Sequence, residues 1–248
     1  MLNAVLLDLD NTLVLYDELK FFERYFEKLC HFFSDIFPPD EFTERVIKAT
    51  MALGQNNGEM SNSRFFINFF AKGLKESQLN LWRRFIAFYE NEYHKIDVDV
   101  TVPSGLHEVM RWMQHVRLKL VLASNPIYPP IALEKRLAWA GLDSSCFDLI
   151  THIENMSYVK PRPAYYRQIC EKINESPAVC LMIGNDPVND MMAARAGLKT
   201  YLTTDAGKID YSSLMKDSDS PTHPLEISTP DYRGSFAEVI LVIQKYRQ

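Results

Sequence analysis

Near the start of the chain, Ala4-Val5-Leu6-Leu7 runs directly into Asp8-Leu9-Asp10-Asn11-Thr12-Leu13. Four consecutive apolar residues fit a strand buried on both faces, as in a parallel sheet. Two carboxylates and a hydroxyl then stand where that strand ends, and ligand sites of open α/β sheets lie at the carboxyl ends of strands. Burying two acids side by side is costly unless a cation or a reaction needs them.

Beyond Asp10 the texture changes. Between Asp17 and Lys95 the pattern is helical and aromatic. Asp17–Phe37 carries apolar residues near helical spacing (Leu19, Phe22, Phe26, Leu29, Phe33) and stops at Pro38-Pro39. Asp40 has the chemistry of an N-cap for a second helix to about Leu53, and Ser61–Lys72 and Glu76–Lys95 give two more. Phe21, Phe22, Phe26, Phe65, Phe66, Phe69 and Phe70 are expected to form the core of this helical part. Arg24, Arg64, Arg83 and Arg84 are expected mostly on a solvated face.

Alternation begins at Thr101. Helices over Leu106–His115, Ile131–Ala140, Ala164–Ile173 and Met191–Ala196 are interleaved with strands over Leu118–Ala123, Phe147–Thr151, Val179–Ile183 and Lys199–Thr203. Repeated β-α units of this length predict a doubly wound parallel sheet with right-handed crossovers. Asp205–Asp231 reads as loop with a short strand near Leu225–Ile227, and Ser235–Tyr246 as a closing helix. The expected division is a Rossmann-like α/β core over 1–15 and 98–248 with a helical domain inserted over 16–97. An insertion of that size at the carboxyl end of a strand is placed to cover a site.

Composition narrows the function. The 248 residues are 47% hydrophobic and 24% charged with a net charge of −5, as in an ordinary globular protein without the basic footprint of a nucleic-acid binder. Cys30, Cys146, Cys170 and Cys180 form no C-x-x-C pair and read as reduced core residues. Neither they nor the six histidines show zinc-ligand spacing. No segment approaches the roughly 20 apolar residues that span a bilayer. A cytoplasmic protein is expected, monomer or homodimer, with no nucleic-acid or membrane partner.

Three later strand ends are also polar. Leu122-Ala123 runs into Ser124-Asn125, and Ile183 into Gly184-Asn185-Asp186-Pro187-Val188-Asn189-Asp190. Between them Lys160 is fixed before a helix by Pro161 and Pro163. These four groups, in this order, resemble the four motifs of haloacid dehalogenase superfamily hydrolases. Asp8-Leu9-Asp10-Asn11-Thr12 resembles the first, Ser124-Asn125 the second, Lys160-Pro161 the third, and Asp186 with Asp190 the fourth. The helical stretch matches the position of that family's C1-type cap, though not by any motif.

The resemblance implies a Mg²⁺-dependent phosphatase acting on a small phosphate ester through an aspartyl-phosphate on Asp8. An ionised Asp8 is a nucleophile toward phosphorus, and Asp10, two residues on and on the same strand face, is placed as general acid and base. Lys160 supplies positive charge, and Thr12, Ser124 and Asn125 complete the phosphate-binding set that the resemblance implies. By the same resemblance Asp8, the Asp10 carbonyl and Asp186 bind the metal directly, and Asp190 through water. One departure stands out: the residue after Gly184 is Asn185, so either Asn185 or Asp186 occupies the direct ligand position. Asp10 argues against a dehalogenase, because a halide leaving group needs no proton. A phosphomutase with the same core, and a non-catalytic binding module retaining the fold, remain open alternatives.

Overall fold

The computed structural model describes residues 1–207 and 228–246. Six strands form one sheet, all pairs parallel: β1 (Ala4–Leu7), β2 (Lys119–Leu122), β3 (Leu149–Ile150), β4 (Cys180–Gly184), β5 (Lys199–Thr203) and β6 (Tyr232–Gly234). Their spatial order is β3-β2-β1-β4-β5-β6. β1 lies at the interior of the sheet because all four of its residues are fully buried and apolar, with no solvated face to offer.

Alternate residues of the strands feed two cores. Val5 and Leu7 join Leu120, Leu122, Leu181 and Ile183 in the larger cluster, whereas Ala4 and Leu6 join Val121, Cys180 and Met182 in the smaller. Period-two alternation therefore persists even where both faces are dry. Helices α5 (Leu106–His115), α6 (Pro130–Trp139) and α8 (Val239–Lys245) contribute to the larger cluster, and α7 (Pro163–Lys172) to the smaller.

Between β1 and α5 come only helices: α1 (Glu18–Phe32), α2 (Pro39–Ala52), α3 (Asn62–Phe70) and α4 (Gln78–Asn91), with short 3₁₀ turns. Asp17, Ser61 and Ser77 cap α1, α3 and α4 by accepting from backbone N–H groups of the first turn. Aromatic packing holds these helices together: Phe33 lies 4.6 Å from Phe42 and 4.8 Å from Phe85, and Phe70 lies 5.0 Å from Phe85 (ring centroids). The two chain crossings between helices and sheet meet as an antiparallel bridge, Leu15 N–H to Thr101 O at 2.8 Å and Thr101 N–H to Leu15 O at 2.9 Å.

Several local expectations are corrected. Helix α2 starts at Pro39, whose fixed φ and missing N–H suit the first helical position, so Pro38 and not Asp40 is the N-cap. Phe22 and Phe69 are 38% and 42% exposed and lie outside the helical core that Phe21, Phe66 and Phe70 do join. Met191–Ala196 winds as a 3₁₀ helix, closed by Gly197 at φ 97°. Strand β6 lies between the expected loop and the expected closing helix, where no element was expected, and the strand expected near Leu225–Ile227 lies outside the described residues. All four cysteines are free thiols, Cys170 and Cys180 buried. Among the described residues no helix is long and apolar enough to cross a membrane.

Candidate active site

The register of the sheet sets the site. Leu7 pairs with Leu122 on one side and Ile183 on the other, so Asp8 follows level with Ala123 and Gly184. The Asp8 N–H donates to Ile183 O at 2.9 Å, and Ala123 N–H to Leu7 O at 2.7 Å. Asp8, Ser124 and the 185–190 loop thus emerge from the carboxyl ends of three adjacent central strands, where the chain turns to opposite sides from β1.

Lys160 joins them from the loop before α7. Its ammonium lies 2.6 Å from Asp8 Oδ1 and 2.5 Å from Asp190 Oδ1, and all three side chains are shielded from solvent. Burial pushes the Asp8 carboxyl well above the usual carboxylate range; Lys160 opposes this, and Asp190 and Asp10 add to it. Burial raises Asp190 as well, again against Lys160. Lys160 is desolvated too, but the Asp190 and Asp8 carboxylates outweigh that cost and hold its proton well above the ordinary lysine range.

The backbone supports this cluster. Asn125 Oδ1 accepts from Lys160 N–H at 3.2 Å and so fixes the lysine loop. The Ser124 carbonyl accepts from Thr151 Oγ1 and from the Tyr165 hydroxyl, each at 2.8 Å. Lys160-Pro161 is a cis peptide. Gly184 is the one residue that lets Asp190 approach the strand: an added Cβ would stand 2.1 Å from Asp190 Oδ2.

The remaining members of the fourth motif are arranged differently. Asp186 turns into its own loop, with Oδ1 accepting from Val188 N–H at 2.7 Å and Asn189 N–H at 2.8 Å, and Oδ2 from Asn189 Nδ2 at 2.6 Å. Asn185 Oδ1 accepts from the Thr12 hydroxyl at 3.3 Å, joining the first motif to the fourth. Among the described residues no three His, Cys, Asp or Glu side chains are gathered into a ready metal cluster.

Asp10 belongs to a network that the sequence did not reveal. Its Oδ2 accepts from Arg136 Nη1 at 2.7 Å and its Oδ1 from the Tyr16 hydroxyl at 2.6 Å. Arg136 is 1% exposed, donates from Nε to the Tyr93 hydroxyl at 2.8 Å, and stacks 4.1 Å from the Tyr128 ring. Its Nη2 has no hydrogen-bond partner among the described residues. Tyr16 and Tyr93 flank the two chain crossings, so this network ties the helical part to the core. A signal existed: Ala132, Leu133, Arg136 and Leu137 occupy one face of α6, and a charge in that row marks a buried partner elsewhere.

These features agree with the comparisons. A model of the haloacid dehalogenase-like hydrolase family matches residues 2–197. The chain belongs to that family of hydrolases. No curated protein is a significant sequence match. Solved structures share the fold at low identity. A HAD phosphatase from Thermococcus onnurineus is 18% identical with TM-score 0.58, covering 98% of both chains. CbbY from Rhodobacter sphaeroides, solved with phosphate, is 18% identical with TM-score 0.56, covering 96% of both chains. A 2-haloacid dehalogenase from Pseudomonas syringae pv. Tomato is 15% identical with TM-score 0.62, covering 99% of this chain and 100% of that one.

Proposed function

We propose that the protein is a Mg²⁺-dependent phosphatase that cleaves a small phosphate monoester through a phosphoryl group carried on Asp8. The carrying observation is the convergence of Asp8, Lys160 and Asp190 at the ends of β1 and β4, beside Ser124 at the end of β2. In this reading residues 16–97 are a C1-type cap over a core of 1–15 and 98–248.

With Asp8 Oδ1 on the Lys160 ammonium, Oδ2 is the attacking oxygen. It bonds to phosphorus while the bond from phosphorus to the ester oxygen breaks, and Asp10 gives the departing alcohol its proton. Asp10 then takes a proton from water as the water oxygen attacks phosphorus, releasing phosphate and restoring the Asp8 carboxylate. Asp10 must exchange Arg136 for the ester oxygen to do this, since both of its oxygens are engaged in the present arrangement. Lys160, the Ser124 hydroxyl, the Asn125 N–H and Thr12 are the groups assigned to the phosphoryl oxygens.

The donor set suits a hard divalent cation. Asp8 and Asp190 share the Lys160 ammonium and offer oxygen ligands, and Asp186, engaged in its own loop, would have to turn toward them to complete the set. Asp8, the Asp10 carbonyl, Asp186 or Asn185, and Asp190 would hold it. When bound, Mg²⁺ would lower the charge repulsion between Asp8 and the substrate phosphate.

The test is phosphate release across sugar, nucleotide and small-acid phosphates, with Mg²⁺ and with EDTA, beside Asp8→Asn. Release that needs Mg²⁺ and is lost in Asp8→Asn is the expected result. Turnover undiminished by Asp8→Asn overturns the mechanism. Conversion of a sugar phosphate to its isomer without phosphate release identifies a mutase instead.

A further inference from the structure

Between the helices and the core lies a cavity of about 250 Å³, open to solvent on one side, that the chemistry above does not use. Eight of its fifteen lining residues are aromatic, among them Tyr25, Phe66, Trp82, Phe85, Tyr89 and Tyr128, and none carries a charge. Close-packed interiors leave few voids larger than a water molecule. Water that enters past the exposed Ile47 and Met51 finds few polar partners on these walls, and an apolar guest that displaces it makes the contacts water cannot. For scale, an engineered cavity of about 150 Å³ accepts one benzene ring.

Polar capacity in the walls is small. The Tyr25 and Tyr89 hydroxyls bond to each other at 2.8 Å, which leaves the Thr50 and Tyr128 hydroxyls and the Trp82 indole N–H as the other side-chain polar groups. A sugar ring placed here would exchange water for walls that offer fewer partners than its hydroxyls need. A planar apolar group loses nothing on entry.

None of the catalytic residues lines the cavity, but one wall of it lies a single side chain away from Asp10. Ile127, Tyr128 and Pro129 line it and follow Asn125, assigned above to the phosphoryl oxygens, by two to four residues. The Tyr128 ring stacks 4.1 Å from Arg136, which holds Asp10 Oδ2 at 2.7 Å. Arg136 stands between Asp10 and this wall, so the exchange of Arg136 for the ester oxygen at Asp10 is also what brings the alcohol portion of an ester held at Asp8 up to the aromatic side.

We infer that the cavity receives the alcohol portion of the substrate, and that this portion is an aromatic or polycyclic apolar group joined to the phosphate by a short linker. The inference rests on the phosphatase reading for the position of the phosphate. It excludes sugar phosphates as preferred substrates. Thr50, half-buried on α2, is the small residue in the lining, and Ile47, 44% exposed, stands at its rim.

The test uses esters of primary alcohols, so that leaving-group strength is matched: 2-(1-naphthyl)ethyl phosphate, ethyl phosphate and glucose 6-phosphate, each with Mg²⁺. The naphthylethyl ester is expected to exceed the other two in kcat/KM by at least about 100-fold. Thr50→Trp, which fills the cavity, is expected to reduce that ratio to below about 5-fold; Ile47→Glu, which charges the rim, gives the same direction if the first variant fails to fold. Asp8-dependent turnover with no preference among the three esters overturns the inference and leaves the phosphatase reading standing. If no ester turns over, that reading fails, and the cavity is judged by calorimetry with 2-(1-naphthyl)ethanol. Binding with a negative heat-capacity change, weakened at least about 10-fold in Thr50→Trp, supports the inference. No binding, or equal binding to both proteins, overturns it.

Discussion

Arg136 and Asp10 stand 126 residues apart in sequence and meet at 2.7 Å, the guanidinium 1% exposed and the carboxylate 26% exposed. Arg136 also lies 4.9 Å from the Phe21 ring and 4.1 Å from the Tyr128 ring, so it is stacked as well as paired. The pair is half wet: losing Arg136 leaves Asp10 a route to water, while losing Asp10 strands a buried cation.

Arg136→Met is therefore expected to destabilise the fold by about 2–4 kcal/mol, at or below the cost of breaking a fully buried pair. Arg136→Lys is expected to recover little, because one ammonium cannot serve Asp10 and the Tyr93 hydroxyl together or stack on Tyr128. Urea unfolding of the three proteins decides it. Full recovery by lysine would show that charge alone matters at this position.

Asp8, Ser124, Lys160 and Asp190 were legible in the sequence because the first two stand at the end of an apolar run, Asp190 in the polar loop after one and Lys160 just ahead of two prolines, and a parallel sheet places strand ends together. The Asp10–Arg136 pair was not, because it depends on the face α6 turns to the sheet. Edge strand β6 was missed for a related reason. Three residues with an exposed Arg233 and no apolar run give no periodicity, and Tyr232–Gly234 is a strand only because β5 offers a free edge. Met191–Ala196 kept its place but not its helix type, since six residues between Asp190 and Gly197 are too few for a regular α-helix to gain from length. The cavity lay furthest from the sequence, where its aromatic residues read as core.

Lys160 serves two carboxylates, and its removal separates stability from activity. Lys160→Met is expected to cost about 3–5 kcal/mol at neutral pH, since Asp8 and Asp190 are left buried and facing each other. Their carboxyls are already raised, so the folded protein keeps a proton where the unfolded chain has lost it, and stability falls as pH rises above about 4. The variant should accordingly be more stable near pH 5 than near pH 8. Adding Asp190→Asn should restore much of the stability, while phosphate release stays at least about 100-fold below wild type. Parallel melts and assays at the two pH values test both halves. Equal stability at pH 5 and pH 8 would contradict the role given to the carboxyls.

Gly184 is needed for the space it leaves. The Cβ of an alanine would stand 2.1 Å from Asp190 Oδ2 and 2.3 Å from its Cγ, closer than real contacts allow. Asp190 cannot retreat freely, since Oδ1 is bound to Lys160 and Oδ2 accepts from Asp186 N–H at 3.0 Å. Gly184→Ala is expected to cost about 1–3 kcal/mol and to lower phosphate release by moving Lys160. Combining it with Asp190→Gly, which removes the clashing side chain, should recover stability and not turnover. Wild-type turnover in Gly184→Ala would mean that Asp190 is free to move without consequence.

Six of the seven buried tyrosines set an upper pH limit on the fold. Tyr25, Tyr89, Tyr93, Tyr128, Tyr165 and Tyr166 all have hydroxyls raised above the ordinary tyrosine value, in each case first by burial. The unfolded chain releases these protons near pH 10 while the folded protein retains them, so unfolding is favoured as pH rises through that value. Each contributes about 1.4 kcal/mol per pH unit, and six together about 8. A fold stable by about 5–15 kcal/mol withstands that slope for only one to two units. Cooperative loss of far-ultraviolet ellipticity is expected between about pH 10.5 and 12, with the tyrosinate absorbance at about 295 nm from these six rising in the same step. Full tyrosinate absorbance with unchanged ellipticity would show that their hydroxyls reach water in the folded protein, contrary to the packing described above.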